Sequence, residues 1–227
     1  MKIKHIAVVI PARNEQELIA RCLESVIAAA TPETSITVVA DACTDATAEV
    51  ARGFAGVRVL EVDAATVGRA RSAGVAAAVA ATGVAAGVAA STVWIANTDA
   101  DSVVPENWIS EQVRLADRGA DLLIGTVSPD FADLSPRQVA AWLDRLDPLA
   151  ANGHVHGANL GVRASAYEAA GGFAPLGEHE DVDLVVRCAA AGARVEASNA
   201  FDVMTSGRAD GRTGGGYARY LYTDLLH

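Results

Sequence analysis

Short apolar runs alternate with helix-like segments along the first hundred residues of this chain. The runs 3–10, 36–40, 57–62 and 92–96 have the length and the β-branched content of buried strands, and the segments between them repeat apolar residues at helical spacing. Strands that alternate with helices in this way pair in parallel, because each crossover helix returns the chain to the same edge of the sheet. The sequence therefore predicts a doubly wound, mostly parallel α/β sheet with helices on both faces.

The second half of the chain is less regular. It contains helix-like segments at 105–119, 135–149 and 180–190 and strand-like runs at 122–127 and 194–197. A Gly- and Arg-rich stretch and an aromatic tail follow. These elements are fewer per residue than in the first half, so part of this region is expected to be loop.

We find no internal repeat and no linker in the 227 residues, of which 51% are hydrophobic and 20% charged. That balance excludes a disordered chain and supplies enough apolar surface for one sizeable core. We expect a single domain, 1–227, with two functional halves.

Charge excludes several classes of function. The net charge of −10 argues against nucleic acid or an anionic membrane as the main partner. Only two of the 18 basic residues are lysines, Lys2 and Lys4, and both precede the first loop. A Walker A phosphate loop, a Schiff-base enzyme and a protein kinase all need a lysine further along the chain, so these classes are excluded.

Cysteine usage and hydropathy bear on location. Cys22, Cys43 and Cys188 form no CxxC pair, which fits a reduced, cytoplasmic chain. The uncharged stretch 75–93 is long, but it contains glycines and lacks an aromatic belt, so we expect a buried helix and a loop there. The sequence thus predicts a soluble protein with no transmembrane segment.

The strongest chemical signal is the pair Asp99 and Asp101, directly after the fourth predicted strand. Two carboxylates one residue apart at the carboxyl end of a strand can both reach a hard divalent cation. That cation would bridge the phosphates of a ligand in the crevice. The alternative is a solvated acidic turn, which a DxD motif alone does not exclude.

Three other segments end at the same predicted edge. The loop after the first strand carries Arg13 and Glu15, and the second strand ends at Asp41. Gly68 and Arg71 lie at a helix start, where glycine permits close backbone approach and arginine pairs with phosphate. Taken singly, each has an ordinary structural explanation as a cap or a first-turn residue.

Together these segments resemble the family 2 glycosyltransferases of GT-A fold. The resemblance spans almost the whole chain in the family's order. The counterparts are VVIPARNE (8–15), ADACTD (40–45), VGRARSAG (67–74), NTDADS (97–102), HGANLGVRASAYEAAGGF (156–173) and EHEDVDLVVR (178–187).

On the donor side, the resemblance implies a nucleoside diphosphate sugar, with a UDP- or GDP-sugar expected. The residues implied to surround the nucleotide are Pro11, Arg13, Glu15, Asp41, Gly68, Arg71 and Asp99. Asp101, with Asp99, would bind Mg²⁺ or Mn²⁺ across the diphosphate.

On the acceptor side, the resemblance implies an inverting transfer to a hydroxyl whose carrier the sequence does not identify. Asp181, which matches the aspartate of the family's ED motif, would deprotonate that hydroxyl. Glu180 would orient Asp181 or the acceptor. His156, Gly157 and Asn159 belong to the segment implied to face the acceptor.

The sequence departs from the family in two places. Many relatives carry a histidine after the ED motif that completes the metal site, whereas the corresponding stretch here leads to Arg208. Arg208 and Arg212 lie in a flexible Gly-rich segment and would supply positive charge to the diphosphate instead. Ser72 stands where the family usually has asparagine.

Other readings of the same residues remain open at this point. A protein of the same fold that binds a sugar nucleotide without turnover would explain the absent histidine. A phosphatase of haloacid dehalogenase type would explain the DxD, although no lysine follows Lys4, and a nucleotidyltransferase would share the sheet. The tail 217–226 is a short amphipathic segment that would suit a homo-oligomer contact.

Overall fold

A computed structural model describes residues 1–84, 87–147, 151, 153–209, 211 and 216–226. Its strands are β1 (His5–Ala12), β2 (Thr34–Asp41), β3 (Val57–Val62), β4 (Val93–Asn97), β5 (Ser102–Val103), β6 (Leu122–Pro129), β7 (Leu160–Arg163) and β8 (Val195–Thr205). Its helices are α1 (Ile19–Ala29), α2 (Thr47–Arg52), α3 (Val67–Ala81), α4 (Trp108–Asp117), α5 (Pro136–Arg145), α6 (Ala164–Ala169), α7 (Glu180–Ala190) and α8 (Tyr217–Arg219). Alternating strands and helices confirm the predicted α/β class.

The eight strands form one sheet in the order β3-β2-β1-β4-β7-β6-β8-β5. β1 pairs in parallel with both β2 and β4, so the winding reverses direction between these two neighbours. The second half adds β7, which runs antiparallel between β4 and β6. In open α/β sheets a ligand crevice forms outside the carboxyl ends of the strands at such a reversal.

Both faces of the sheet are covered. Val8 and Ile10 of β1 face the core formed with α1, α2 and α4, whereas Ala7 and Val9 face the core formed with α3, α6 and α7. Successive side chains of a strand point to opposite faces, so a strand buried on both sides must be continuously apolar. This explains the unbroken apolar run that opens the sequence.

The structure extends β8 well beyond its predicted end. β8 continues to Thr205, although its sequence suggested a strand of four residues ending at Ala197. Beyond that point β8 still pairs with β6, across a register shift between Gly125 and Val127. Asn199, Ala200 and Asp202 in this part of β8 are exposed, which is why the apolar pattern stops before the strand does.

The uncharged stretch 75–93 is divided between two environments. α3 ends at Ala81, and a 3₁₀ turn at Ala90–Thr92 leads into β4. In the part of the chain that the structure describes, no helix combines the length and the apolar content needed to cross a bilayer.

A buried arginine, Arg163, links several segments by hydrogen bonds at the end of the sheet where β4 begins. Its Nε donates to Oδ1 of Asp121 at 3.0 Å, and Nη1 donates to the carbonyl of Ser91 at 2.6 Å. Nη2 donates to the carbonyls of Ala116 and Ala120 at 2.7 and 3.0 Å. One side chain therefore satisfies carbonyl groups from α4, the following turn and the entry to β4.

Gly68 fits α3 against the loop that precedes α7. A Cβ at this position would lie 2.1 Å from the carbonyl oxygen of Ala174 and 3.0 Å from the backbone of Leu176. The Gly68 amide also donates to the Leu176 carbonyl at 3.0 Å. The close approach that glycine permits here is therefore to the protein's own backbone.

Replacing Arg163 with alanine should lower the free energy of unfolding by about 3 kcal/mol, because it leaves buried carbonyl groups without a donor. Urea unfolding followed by circular dichroism measures the change. Arg194→Ala is the matched control, since the Arg194 side chain is 61% exposed, and its effect should stay within about 0.5 kcal/mol. Equal effects of the two substitutions would contradict the role given to Arg163.

Gly68→Ala should destabilise the protein by about 2 kcal/mol through overpacking, although alanine is the better helix former. Gly177→Ala is the control, because a Cβ there meets no atom within 4 Å. The same urea titration compares the two. If Gly68→Ala left stability unchanged and weakened only nucleotide binding, the glycine would serve a ligand and not the fold.

Candidate active site

One large cavity opens at the carboxyl ends of β1, β2 and β4. Its volume is about 1030 Å³, at the upper end of the roughly 300–1,000 Å³ range of small-molecule sites. The loops after these strands border it on one side, and the start of α7 and the C-terminal segment border it on the other. The space suits two substrates side by side better than one small ligand.

Most of the predicted site residues share this cavity. Those that line it are Pro11, Arg13, Glu15, Asp41, Arg71, Asp99, Asp101, His156, Gly157, Glu180, Asp181 and Arg208. Gly68 and Asn159 are absent from the lining, and Arg212 lies outside the described residues.

Arg208 brings the end of the chain to the loop after β1. Its two terminal nitrogens donate to the carboxylate of Glu15 at 2.8 and 2.7 Å, and Nη2 also lies 3.0 Å from Oδ2 of Asp101. Glu15 is buried, and both of its carboxylate oxygens accept from Arg208 in this paired geometry. A fixed cation therefore stands between the two predicted donor segments.

Arg71 joins the DxD motif to the start of α7. Its Nε donates to Oε1 of Glu180 at 3.0 Å and its Nη2 to Oδ1 of Asp99 at 2.5 Å. Burial acts to lower the pKa of Arg71, but the carboxylates of Asp99, Glu180 and Asp181 outweigh it and raise that pKa. The guanidinium is thus charged and held from both sides.

The two carboxylates at the start of α7 differ in environment. Glu180 is buried, and burial raises its pKa while Arg71 acts in the opposite direction. Asp181 borders the cavity and accepts a hydrogen bond from the Val182 amide at 2.8 Å. Of the pair, Asp181 is the carboxylate placed to meet a ligand, and Glu180 is held by the protein.

Backbone strain concentrates at the cavity edge. Among the described residues, the non-glycine positions with positive φ are Asn14 (53°), Ala42 (47°), Ala65 (63°) and His179 (61°). Ala65 and His179 line the cavity, and the other two adjoin residues that do. Left-handed backbone in such residues costs free energy and occurs most often where a site requires a particular loop geometry.

Asp101 and Asp99 have the donor chemistry of a Mg²⁺ or Mn²⁺ site. Burial and the charge of Asp99 raise the pKa of Asp101 from 3.8 to about 6, against the lowering effect of Arg208. Hard divalent cations in nucleotide sites use one or two carboxylates and take the remaining oxygens from phosphates and water. No cluster of three or more His, Cys, Asp or Glu suited to a metal occurs among the described residues. The DxD pair therefore fits a cation that arrives with its phosphate ligand.

Asn159 is directed into the core. Its Oδ1 accepts from Nε1 of Trp108 at 2.9 Å, and its Nδ2 donates to the carbonyls of Thr126 and Phe201 at 2.8 Å each. Its amide is thus used to join β6, β8 and α4. Asn159 therefore holds the segment that carries His156 and Gly157 in place, and it does not line the cavity.

Several lining residues were not predicted as site residues. Asp202 on β8 and Tyr217 and Tyr220 in the C-terminal segment border the cavity. The tail also packs on its own chain, where the Leu221 carbonyl accepts from Gln138. Tyr217 and Tyr220, three residues apart in that tail, are the sequence signal that could have identified this side of the cavity.

The comparisons with known proteins agree with this geometry. The sequence model described as glycosyl transferase family 2 matches residues 7–156. TarS 1-349 from S. aureus, solved in complex with UDP-GlcNAc, superposes with a TM-score of 0.71 at 14% identity, over 94% of this chain and 61% of that chain. The mannosyltransferase PcManGT from Pyrobaculum calidifontis, solved with GDP-Man and Mn²⁺, gives 0.62 at 21% identity, over 96% and 59%.

This chain spans about three-fifths of the length of each of those two proteins. No curated protein sequence matches it significantly. The structural likenesses establish the GT-A fold, and the sequence match covers well over half of the chain. The chain belongs to glycosyl transferase family 2.

Proposed function

We propose that this chain transfers a sugar from a nucleoside diphosphate sugar to an acceptor hydroxyl, with inversion at C1 and with the help of a divalent cation. The observation that carries the proposal is that the DxD carboxylates and Asp181 open into one cavity, with Arg71 joining the two sides. Family membership favours transfer over the phosphatase and nucleotidyltransferase alternatives.

The donor nucleotide would bind at the ends of β1 and β2. Pro11, Arg13 and Asp41 line this part of the cavity. Asp41 is held by the Ala64 amide, which donates to Oδ1 at 2.7 Å, so that its carboxylate can accept from a base N–H or a ribose hydroxyl. TarS binds UDP-GlcNAc and PcManGT binds GDP-Man, which supports UDP or GDP as the nucleotide.

The cavity needs added positive charge before it can hold a diphosphate. Among the described lining residues, nine carboxylates face four guanidinium groups. Asp101, with Asp99, would hold Mg²⁺ or Mn²⁺, which when bound would neutralise the charge of the leaving nucleoside diphosphate. Arg208, already 3.0 Å from Asp101, would add a fixed charge beside it.

The acceptor would react beside Asp181. Its hydroxyl gives its proton to the Asp181 carboxylate while the oxygen forms a bond to C1 of the donor sugar. The bond from C1 to the diphosphate oxygen breaks, and its electron pair leaves with the nucleoside diphosphate. Attack from the face opposite the leaving group inverts C1. Glu180, bound to Arg71, holds the first turn of α7 in position.

We also propose that 1–101 carries the donor and 102–227 the acceptor. The donor residues of β1, β2 and β4 all fall in the first range, and Asp181 falls in the second. Arg208 is the exception, because it belongs to the second range and binds Glu15 in the first.

Thermal unfolding with UDP, GDP, ADP and dTDP, each with and without Mn²⁺, tests the donor site. One nucleotide should raise the melting temperature only with Mn²⁺. At a hundredfold excess over its dissociation constant, the free energy of unfolding should rise by about 2.7 kcal/mol. Asp101→Asn should lose that shift. Asp63→Asn, which removes the same charge from an exposed position outside the cavity, should keep it.

An equal shift with and without Mn²⁺ would contradict the metal assignment and leave the nucleotide site intact. No shift with any of the four nucleotides would contradict the donor site itself.

Asp181→Asn should reduce kcat for release of nucleoside diphosphate by about 100-fold or more, because the acceptor proton then has no base. The donor dissociation constant should change by less than about threefold, since the diphosphate is bound at the other side of the cavity. Asp183→Asn is the matched control on the same helix turn, where the carboxylate pairs with Arg187 at 2.6 Å.

A coupled assay for the released nucleotide measures both variants. If Asp181→Asn turned over as fast as Asp183→Asn, Asp181 would not be the base. If the wild type bound donor and released no nucleotide with any acceptor, the chain would bind sugar nucleotides without turnover.

A further inference from the structure

Rings from two separate segments form a continuous row in the cavity wall. The centroids of His154 and His156 are 6.4 Å apart, and His156 meets Tyr217 edge-on at 5.5 Å. Tyr217 stacks with Tyr220 at 5.9 Å, with the ring planes 21° apart. Trp142 of α5 lines the same cavity. His156, Tyr217, Tyr220 and Trp142 are called the aromatic wall below.

Carboxylates flank the aromatic wall. Asp181 and Asp202 line the same cavity as these rings, and both carboxylates act to raise the pKa of His156. The Ser128 hydroxyl donates to Oδ2 of Asp202 at 2.6 Å. The rings therefore lie next to the candidate base, where the acceptor has to be.

The histidine in the wall adds no positive charge at neutral pH. Burial lowers the pKa of His156, and this effect exceeds the raising influence of the nearby carboxylates. Arg71 and Arg208 are each already paired with two carboxylates. The wall is thus aromatic and bordered by negative charge.

We propose that the aromatic wall binds an uncharged saccharide, one of whose hydroxyls is the acceptor presented to Asp181. The inference rests on the proposed function, because it names the acceptor class for the same site. The C–H groups on one face of a sugar ring form a weakly positive, apolar patch that matches the negative face of an aromatic ring. The sugar's hydroxyls can donate to the oxygens of the flanking carboxylates, which have no proton of their own to donate when ionised.

The same surroundings disfavour the other acceptor classes. A phosphate-bearing acceptor would enter a cavity in which nine carboxylates, Asp181 and Asp202 among them, outnumber four guanidinium groups, and like charges at close range repel strongly in a partly buried site. A long alkyl chain would cover those carboxylates without hydrogen bonding to them, which is costly. A neutral, hydroxyl-rich ring avoids both penalties.

Tryptophan fluorescence can report on this wall selectively. Trp94 and Trp108 are 0% exposed, and their indole N–H groups donate to Gln112 and Asn159. Trp142 is half-buried and borders the cavity, so quenching by acrylamide should arise mainly from it. Methyl glycosides of glucose, galactose, mannose and N-acetylglucosamine would be titrated against wild type with nucleoside diphosphate and Mn²⁺ present.

We expect at least one of these glycosides to protect Trp142 from acrylamide and to accept the donor sugar. Trp142→Ala should raise KM for that glycoside about tenfold, the loss expected for one stacked ring. Trp142→Phe, which keeps a ring, should raise it by less than about threefold. Leu143→Ala is the control, because Leu143 neighbours Trp142 on α5, is 48% exposed and does not line the cavity.

Polyprenyl phosphate in detergent micelles and glycerol 3-phosphate serve as the charged probes. Turnover with either of them and with none of the glycosides would overturn the inference and leave the proposed transferase function standing. Donor binding with no glycoside protecting Trp142 would overturn it as well. Equal KM values for Trp142→Ala and Leu143→Ala would show that the wall does not bind the acceptor.

Failure of the proposed function gives a different result. In that case no nucleoside diphosphate raises the melting temperature of the wild type, whereas failure of the acceptor inference leaves that shift in place. Circular dichroism of Trp142→Ala shows whether the variant is folded, and Trp142→Leu, which removes the ring and keeps more apolar volume, replaces it if it is not.

Discussion

The buried guanidinium of Arg71 is the interaction on which the rest of the site depends. It holds Asp99 at the end of β4 and Glu180 at the start of α7 from a single position on α3. Removing one member of such a buried charged cluster leaves the others uncompensated and costs about 3–5 kcal/mol. The Arg71 contact also explains the glycine at 157, where a Cβ would lie 2.2 Å from Nη2. The end of β4 and the start of α7 are therefore fixed relative to each other by one side chain.

Arg208 depends in turn on the length of β8. Because that strand continues to Thr205, it carries the chain back across the cavity to Glu15 and Asp101. Thr205 itself donates to Asp101 at 3.3 Å. The extension of β8 thus brings a guanidinium group to a cavity in which most of the other charged groups are carboxylates.

The parts of the fold set by strong apolar periodicity were predictable. β3 and α7 have the predicted bounds, and the carboxylates after β4 lie at the predicted edge of the sheet. The partners of individual polar side chains were not predictable, because they depend on contacts far apart in sequence. Asn159 is an example, since its amide is used by Trp108 and two carbonyls, and the packing of the aromatic tail beside His156 is another.

The scarcity of lysine has a practical consequence for handling the molecule. Lys2 and Lys4 precede β1, whereas the cavity lies beyond the other end of that strand. Eight residues of strand separate the two ends by about 26 Å. Coupling to a solid support through these two lysines would therefore attach the domain by the end of the sheet opposite the cavity. The cavity would face the solution in a uniform orientation, with its arginines chemically untouched.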